Sequence, residues 1–415
     1  MAVGILDVNI LKHLARGERA ARKALDLAVQ RSEADFDDPL LEAVMHSGFG
    51  KAYFGIGVYP EAEKHLRAAL ELRRQAESVE PGDFKDLADS LNSLGECLRE
   101  MGEASNDEGV NDYQAAAELH QEALGIAERH LGPDHLETAR SLHDLGAAHW
   151  WLKEYAVARP LYERALKIRK RYGEETQEVA DSYDHLAACM DQMGEGAAAE
   201  AYYRRALDIR EKLDSTIDFD RGVMRHKLAL CLLKQNRHAE AAPLFAEALE
   251  IIRAAGWGTH PWVGRVLHSQ GLCFEGMSDL VSAEAALREA LEHKRKYLAP
   301  QALSTARTLH ELAKIECSTG RCAQAEKTCL EALEIQGVDP ESAESRDLLG
   351  MILTRLERFA EAEAALLQAL EALQARWGRE DARTQNALQH MVELYEAWEK
   401  PDQAEAYRAL LLETP

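Results

Sequence analysis

Apolar residues recur along this chain at spacings of three and four, the pattern of amphipathic helices. The stretch 135–173 is representative. Its first half carries such a run from Ala139 to Leu152, a polar break follows at Lys153–Tyr155, and a second run extends from Ala158 to Ile168. The pattern predicts two helices joined by a short turn.

The helical pattern repeats from end to end. One alanine returns at the same place in nine second helices: Ala62, Ala116, Ala158, Ala199, Ala241, Ala283, Ala325, Ala362 and Ala404. Each first helix carries a small residue at a matching place: Gly50, Gly95, Gly146, Ala187, Ala229, Gly271, Ala313, Gly350 and Val392. A fixed period of about 20–50 residues indicates a repeat architecture.

The expected fold is therefore all-α: a right-handed superhelical solenoid of about nine helix pairs with a period of ~42 residues. We expect the solenoid at 39–412. Residues 1–38 are expected to hold an amphipathic helix that caps the first pair, because exposed array ends need capping. The polar insertion at 103–112 is expected to be a mobile surface loop.

Charge and cysteine usage narrow the class of partner. The chain has 49 basic and 72 acidic residues, a net charge of −23, so we expect it to repel nucleic acid and anionic membranes. It has no apolar run near the ~20 residues of a spanning helix. Its seven cysteines are odd in number and form no CxxC pair, which favours the cytoplasm. Cys317, Cys322 and Cys329 cluster in sequence, and we favour packing over a metal site there.

The small-residue and alanine skeleton resembles the tetratricopeptide repeat. The longer period and the phrases LGPDHLETARSLHDLG (131–146) and GWGTHPWVGRVLHSQG (256–271) are similar to its kinesin-light-chain subtype. The segment 37–74 looks most like arrays attached to bacterial serine/threonine kinases, although the chain has no kinase motif. The resemblance implies a binding scaffold whose first helices line a concave face.

One column of the first helices is polar throughout. Three positions before the small residue stand Ser47, Asn92, His143, Asp184, His226, His268, His310, Asp347 and Gln389. A buried stripe is expected to be apolar, so we expect this column to face the groove. The pair Trp150–Trp151 ends the first helix of the third repeat, and we expect Trp151 to anchor a ligand there. The alternative is that both rings pack against the fourth repeat.

The fifth to seventh repeats concentrate cations and apolar side chains in the same columns. We expect the peptide site to comprise Asn92, His143, Trp151, His226, Lys227, Leu230, Arg265, His268, Leu272, Arg307, His310 and Lys314. In that site the guanidinium groups of Arg265 and Arg307 are expected to form bidentate hydrogen bonds with carboxylates of an acidic or C-terminal segment of the partner. The alternative is that these cations pair with carboxylates of adjacent helices. Histidines one repeat apart stand ~10 Å from each other, too far to share a metal ion.

The sequence thus predicts a non-catalytic adaptor that binds a peptide or protein segment, with no cofactor and no metal. No nucleophile elbow, phosphate loop or dinucleotide fingerprint is present. A regulatory sensor that closes on a small signal peptide, and a structural self-assembly module, remain alternatives. The sequence leaves the oligomeric state open.

Overall fold

The computed structural model describes residues 20–30, 38–76, 84–104, 110–213, 219–299, 302–337 and 341–412. These ranges contain nineteen α-helices and one π-helical turn, Arg253–Trp257. The all-α array of helix pairs predicted above is confirmed. None of the helices in these ranges is both long and apolar enough to cross a membrane.

The helices follow one another along the chain as hairpins. Their bounds are α1 (20–30), α2 (Pro39–Gly55), α3 (Tyr59–Ala76), α4 (Phe84–Ala104), α5 (Val110–His130), α6 (Leu136–Trp151), α7 (Tyr155–Tyr172), α8 (Gln177–Gln192), α9 (Gly196–Leu213), α10 (Phe219–Lys234), α11 (His238–Ile252), α12 (Pro261–Gly276), α13 (Leu280–Tyr297), α14 (Leu303–Ser318), α15 (Cys322–Gln336), α16 (Ser342–Arg355), α17 (Phe359–Trp377), α18 (Ala382–Ala397) and α19 (Pro401–Leu412).

The described chain forms two compact units. The N-terminal unit ends at Gln235 and contains α1 to α10, with hairpins α2/α3, α4/α5, α6/α7 and α8/α9. The C-terminal unit begins at Asn236 and contains α11 to α19, with hairpins α12/α13, α14/α15, α16/α17 and α18/α19. The term "first helices" is used below for α2, α4, α6, α8, α10, α12, α14, α16 and α18.

Close packing inside each hairpin explains the small residues. The eight alanines from Ala62 to Ala362 in the second-helix column are fully buried, and Ala404 is nearly so. A Cβ built on Gly146 lies 3.0 Å from a ring carbon of Tyr162, and one built on Gly271 lies 2.7 Å from Leu287 Cγ. A larger side chain at these places would push the two helices apart.

Local signals set the helix boundaries. His135 and His260 cap α6 and α12, because each ring nitrogen accepts a hydrogen bond from the backbone N–H two residues on, at 3.1 and 3.3 Å. These caps lie within the two phrases that resemble the kinesin-light-chain subtype. In most hairpins the residue seven positions after the small residue lies in the turn between the two helices. It adopts a left-handed backbone conformation, as Gly320 and Ser278 do.

Two expected segments lie partly outside the described residues. Of the proposed cap at 1–38, residues 20–30 are helical; Leu25 and Val29 pack against the first core cluster, and Tyr53 donates a hydrogen bond to Asp26 at 2.6 Å. Of the proposed loop at 103–112, the first two residues end α4 and the last three begin α5, while 105–109 lie outside the described residues.

Candidate functional site

First helices approach one another within each unit. In the N-terminal unit α6 contacts both α4 and α8, and in the C-terminal unit α14 contacts α12 and α16. Residues on adjacent first helices therefore form shared surfaces. The side chains on those surfaces differ from the predicted set.

The polar column does not face the groove uniformly, which corrects the first expectation. Asn92 is 1% exposed. Its amide donates to Ser141 Oγ on the next first helix at 3.1 Å, and its Oδ1 lies 3.1 Å from His120 Nδ1. Asn92 tolerates burial because both ends of its amide find partners on neighbouring helices.

The same arrangement recurs further along the column. In the C-terminal unit His268 Nδ1 lies 3.2 Å from Thr308 Oγ1, and His310 Nδ1 lies 3.1 Å from Ser345 Oγ. His226 in the N-terminal unit is also 1% exposed. Asn92 and His226 thus lack the exposure that a ligand contact needs, whereas His143, His268 and His310 are half-buried.

Three of the four predicted lysines and arginines contact carboxylates of the chain itself, which is the alternative considered above. Lys227 donates to Asp184 at 2.6 Å. Lys314 pairs with Glu275 at 2.8 Å, and Arg307 Nε donates to Glu341 at 2.8 Å. The guanidinium of Arg265 lies 4.5 Å from the ring centroid of Trp262. The apolar residues predicted between them, Leu230 and Leu272, are half-buried.

A cavity in the N-terminal unit brings several chemical groups together. It has a volume of about 380 Å³. The first helices α4, α6, α8 and α10 supply most of its wall, and α5 and α7 the rest. The lining residues are Glu96, Arg99, His120, His143, Asp144, Ala147, Trp150, Trp151, Tyr162, His185, Ala188 and Lys227. Three of them, His143, Trp151 and Lys227, belong to the predicted set.

Aromatic rings form one side of this cavity. Trp151 stacks on Tyr113 with ring centroids 5.6 Å apart, and Trp150 meets Trp151 edge-on at 5.1 Å. Trp150 Nε1 and the Tyr162 hydroxyl are buried and have no hydrogen-bond partner among the described residues. Two donors near one cavity without an acceptor are unusual, because buried polar groups are normally paired.

Burial also shifts the titration of groups around the cavity. It raises the pKa of Asp144 to about 7, aided by Glu96 and opposed by Arg140, whose Nε lies 3.8 Å from the carboxylate. It lowers the pKa of His143 and of His185, whose rings meet edge-on at 4.6 Å. Both imidazoles are therefore uncharged at neutral pH.

Asp144, His185, Arg99 and Trp150 also line this cavity but do not belong to the set predicted from the sequence. Asp144 and His185 stand two positions before the small residue, and Arg99 and Trp150 four positions after it. Those columns lie on the same helical face as the columns that were used, so the spacing of three and four offered the signal. No group of three metal-ligating side chains occurs within the described ranges.

Comparison with known families identifies the array. A model described as tetratricopeptide repeat matches residues 109–170, 145–212, 220–296 and 304–375, more than half of the chain. The chain belongs to the tetratricopeptide repeat family. Scaffolds of this family generally mediate protein–protein interactions. No curated protein sequence matches the chain.

Solved structures agree with this fold. Aspartyl phosphate phosphatase F from Bacillus subtilis is 15% identical and matches 92% of this chain and 95% of that one with a TM-score of 0.56. A Rap protein complexed with competence and sporulation factor is 16% identical over 90% and 97%, with a TM-score of 0.54. BtubC (BKLC) from P. vanneervenii is 22% identical over 52% and 89%, with a TM-score of 0.46. At these identities the first two likenesses concern the fold alone, and the third, with a TM-score below 0.5, supports no conclusion.

Proposed function

We propose that this tetratricopeptide repeat chain is a non-catalytic scaffold that binds a partner's peptide segment along its first helices. In this proposal the cavity of the N-terminal unit receives one large side chain of that segment. The observation that carries it is the cavity of about 380 Å³, whose wall is built mainly by four first helices. That volume lies within the range of ordinary ligand pockets.

The chemistry of the wall defines what enters. Trp150 and Trp151 offer apolar and aromatic contact, and Ala147 and Ala188 leave room beside them. The indole N–H of Trp150 and the hydroxyl of Tyr162 have no acceptor among the described residues. A segment that presents an aromatic or large aliphatic side chain next to a carbonyl oxygen satisfies both needs.

The remaining predicted residues fall into two roles in this proposal, apart from Leu230 of α10, which has no assigned role. Asn92 and His226 hold neighbouring helices in place beneath the surface. In the C-terminal unit, Arg265, His268, Leu272, Arg307, His310 and Lys314 form a second contact region for an acidic segment. The Arg307 and Lys314 side chains are 58% and 43% exposed, so their carboxylate partners are open to exchange. Exposed ion pairs contribute only about 0–1 kcal/mol, which makes such exchange feasible.

A cavity-filling substitution tests the main proposal. Random peptides displayed on phage are selected on the full-length chain, and the dissociation constant of the best binder is measured by fluorescence polarisation. Ala188→Leu fills the cavity, and Ala201→Leu on the exposed side of α9 is the matched control. We expect at least tenfold weaker binding to Ala188→Leu and unchanged binding to Ala201→Leu. Equal affinity for both variants and the wild type contradicts the proposal.

The same peptides examine the second contact region. Arg307→Glu reverses a charge in the C-terminal unit and leaves the N-terminal cavity untouched. Acidic peptides are expected to lose affinity for this variant, while peptides that bind through an aromatic residue alone keep theirs. If acidic peptides bind Arg307→Glu as well as the wild type, the region has no role in recognition.

A second candidate function is a sensor that closes on a small signalling ligand. The observation that favours this candidate is the fold match with a Rap protein complexed with competence and sporulation factor. A ligand-induced decrease in the radius of gyration, measured by small-angle X-ray scattering, distinguishes this function from an adaptor of constant shape. Light scattering across a salt series distinguishes either function from a self-assembly module.

Two finer assignments belong to the proposal. We assign the array to the kinesin-light-chain-like subtype because the phrases at 131–146 and 256–271 both supply a histidine cap to a first helix. We place the chain in the cytoplasm because its cysteines are free thiols. A link to a kinase, suggested by the segment 37–74, rests on that sequence resemblance alone.

A further inference from the structure

The turn between α14 and α15 holds two cysteines side by side. Cys317 is the penultimate residue of α14 and Cys322 the first residue of α15. Their Sγ atoms are 2.9 Å apart. We propose that Cys317 and Cys322 are a redox-modifiable thiol pair that forms a reversible disulfide on reaction with a hydroperoxide.

The turn holds the sulfurs close to bonding distance. A disulfide bond is about 2.05 Å long, so the two sulfurs need to approach by only about 0.9 Å. Gly320 N–H donates to Cys317 O at 3.1 Å and Arg321 N–H to Glu316 O at 2.9 Å, which fixes the turn. Gly320 adopts a left-handed conformation without strain, with a φ of 82°. A bridge therefore forms with little movement of either helix.

Cys322 Sγ has the Cys317 sulfur and, at 3.7 Å, the Cys317 carbonyl oxygen within reach. The other five cysteines have no second sulfur within reach in the described ranges. Each has its sulfur within hydrogen-bonding reach of a backbone carbonyl oxygen, at distances from 3.2 to 3.6 Å: Cys97 to Tyr59, Cys189 to Tyr155, Cys231 to Gly196, Cys273 to His238 and Cys329 to Ser345. All five are buried. Their thiols act as small packing groups, and the pair at 317 and 322 stands apart from them.

The two members of the pair have unequal environments, which sets the order of the reaction. Cys322 is half-buried, whereas Cys317 is buried, and burial together with the adjacent thiol raises the pKa of Cys317 to about 11. The Cys322 thiolate attacks the hydroperoxide, giving the Cys322 sulfenic acid and releasing an alcohol, or water when the oxidant is hydrogen peroxide. The Cys317 thiol then condenses with the sulfenic acid, forming the disulfide and water.

Arg355 of α16 places a positive charge beside this pair. Its Nη1 donates to the Cys317 carbonyl oxygen at 3.2 Å and lies 3.6 Å from Cys317 Sγ. A neighbouring cation favours the thiolate that attacks in the condensation step. The two steps together remove two protons and two electrons from the thiols, and the hydroperoxide accepts them as it is reduced to the alcohol and water. A dithiol reductant reverses the change.

Peptide mapping of the full chain tests the pair directly. Trypsin cleaves after Lys314, Arg321 and Lys327, so the two cysteines fall in separate peptides, 315–321 and 322–327. After treatment with hydrogen peroxide, we expect a non-reduced map to show these peptides joined. The denatured thiol count is expected to fall from seven to five and to recover with dithiothreitol.

Two variants separate the steps. Cys317→Ala is expected to leave the Cys322 sulfenic acid unresolved, so that dimedone labels peptide 322–327, while Cys322→Ser yields neither bridge nor label in this region. Cys329→Ser, in the same core, is the control and should bridge as the wild type does. The proposal is overturned if the wild type keeps all seven thiols, or if the joined peptides contain Cys329 or come from two chains.

Discussion

Lys294 is a buried ammonium group with no carboxylate paired to it in the described part of the chain. It is 5% exposed and donates to the Ser304 carbonyl oxygen at 2.8 Å and to Thr308 Oγ1 at 2.7 Å. Burial, with Arg265 and Arg307 nearby, lowers its pKa to about 7. At pH 7 about half of the folded molecules therefore carry a neutral Lys294, whereas the unfolded chain keeps this lysine charged.

This shift predicts how stability depends on pH. Between pH 7 and about 10.4 the unfolded state binds the extra proton, so Lys294 makes the free energy of unfolding rise as pH increases, by up to about 1.4 kcal/mol per pH unit. Below pH 7 both states are charged and the contribution levels off at its least favourable value. Lys294→Met removes the dependence. Its stability advantage over the wild type is expected to shrink as pH rises.

Urea denaturation at several pH values measures this difference. Lys327→Met removes an exposed lysine of α15 and serves as the control, with a difference from the wild type that stays constant with pH. A constant difference for Lys294→Met as well would mean that the two oxygen acceptors keep the lysine charged in the folded state.

Single residues also show where sequence reasoning reached its limit. The polar column was correctly recognised as distinct, but polarity alone does not reveal exposure. Asn92 is buried because Ser141, 49 positions later, supplies a hydroxyl on the next first helix. The pairing recurs as His268 with Thr308 and His310 with Ser345, so a search for hydroxyl residues five positions before the next small residue could have found it.

At the scale of the helix, hairpin geometry depends on a missing side chain. A Cβ on Gly271 would lie 2.7 Å from Leu287 Cγ and 3.4 Å from the Ala283 carbonyl oxygen. A Cβ built on Gly125, inside α5, would have no neighbouring atom within 4 Å. We expect Gly271→Ala to destabilise the chain by about 1–3 kcal/mol through overpacking. Gly125→Ala is expected to stabilise it by up to about 1 kcal/mol through helix propensity.

Thermal unfolding monitored by circular dichroism compares the two substitutions. The chemical change is identical, so opposite signs isolate the effect of packing. If Gly271→Ala melts at or above the wild-type temperature, Leu287 has adjusted its rotamer and the spacing of α12 and α13 does not depend on the glycine.

The positions of the helix hairpins could be predicted from the sequence, but the backbone conformation of the turns between their helices could not. The sequence pattern identified the hairpins, and the alanine column is buried as expected. The left-handed turn residue was not foreseen, because Lys153, Ser278, Glu357 and Glu399 occupy it as well as glycines. At these places the packing of two helices imposes the conformation, and the local residue gives little sign of it.

At the scale of the whole molecule, the compact units do not coincide with the repeats. The boundary at Gln235 falls inside the fifth predicted repeat, after its first helix α10. Three contacts of α10 and one of Gln235, the residue after it, bind this segment to the preceding helices. Lys227 and Lys234 donate to Asp184 and Asp191 of α8, each at 2.6 Å, and the thiol of Cys231 and the amide of Gln235 donate to the Gly196 carbonyl oxygen of α9. Sequence periodicity marks repeats but carries no signal for such a boundary.

Two ways of dividing the chain distinguish units from repeats. A division after Gln235 keeps α10 with these partners, whereas one between residues 216 and 217 follows the repeat boundary and removes α10 from them. We expect fragment 1–235 to melt at a higher temperature than fragment 1–216, because it retains two ion pairs with largely buried carboxylates and the burial of Leu228 and Leu232. Fragment 1–235 also retains every residue of the cavity and is expected to bind the selected peptides as the full chain does. Equal melting temperatures for the two fragments would show that the repeat, rather than the compact unit, is the element that folds cooperatively.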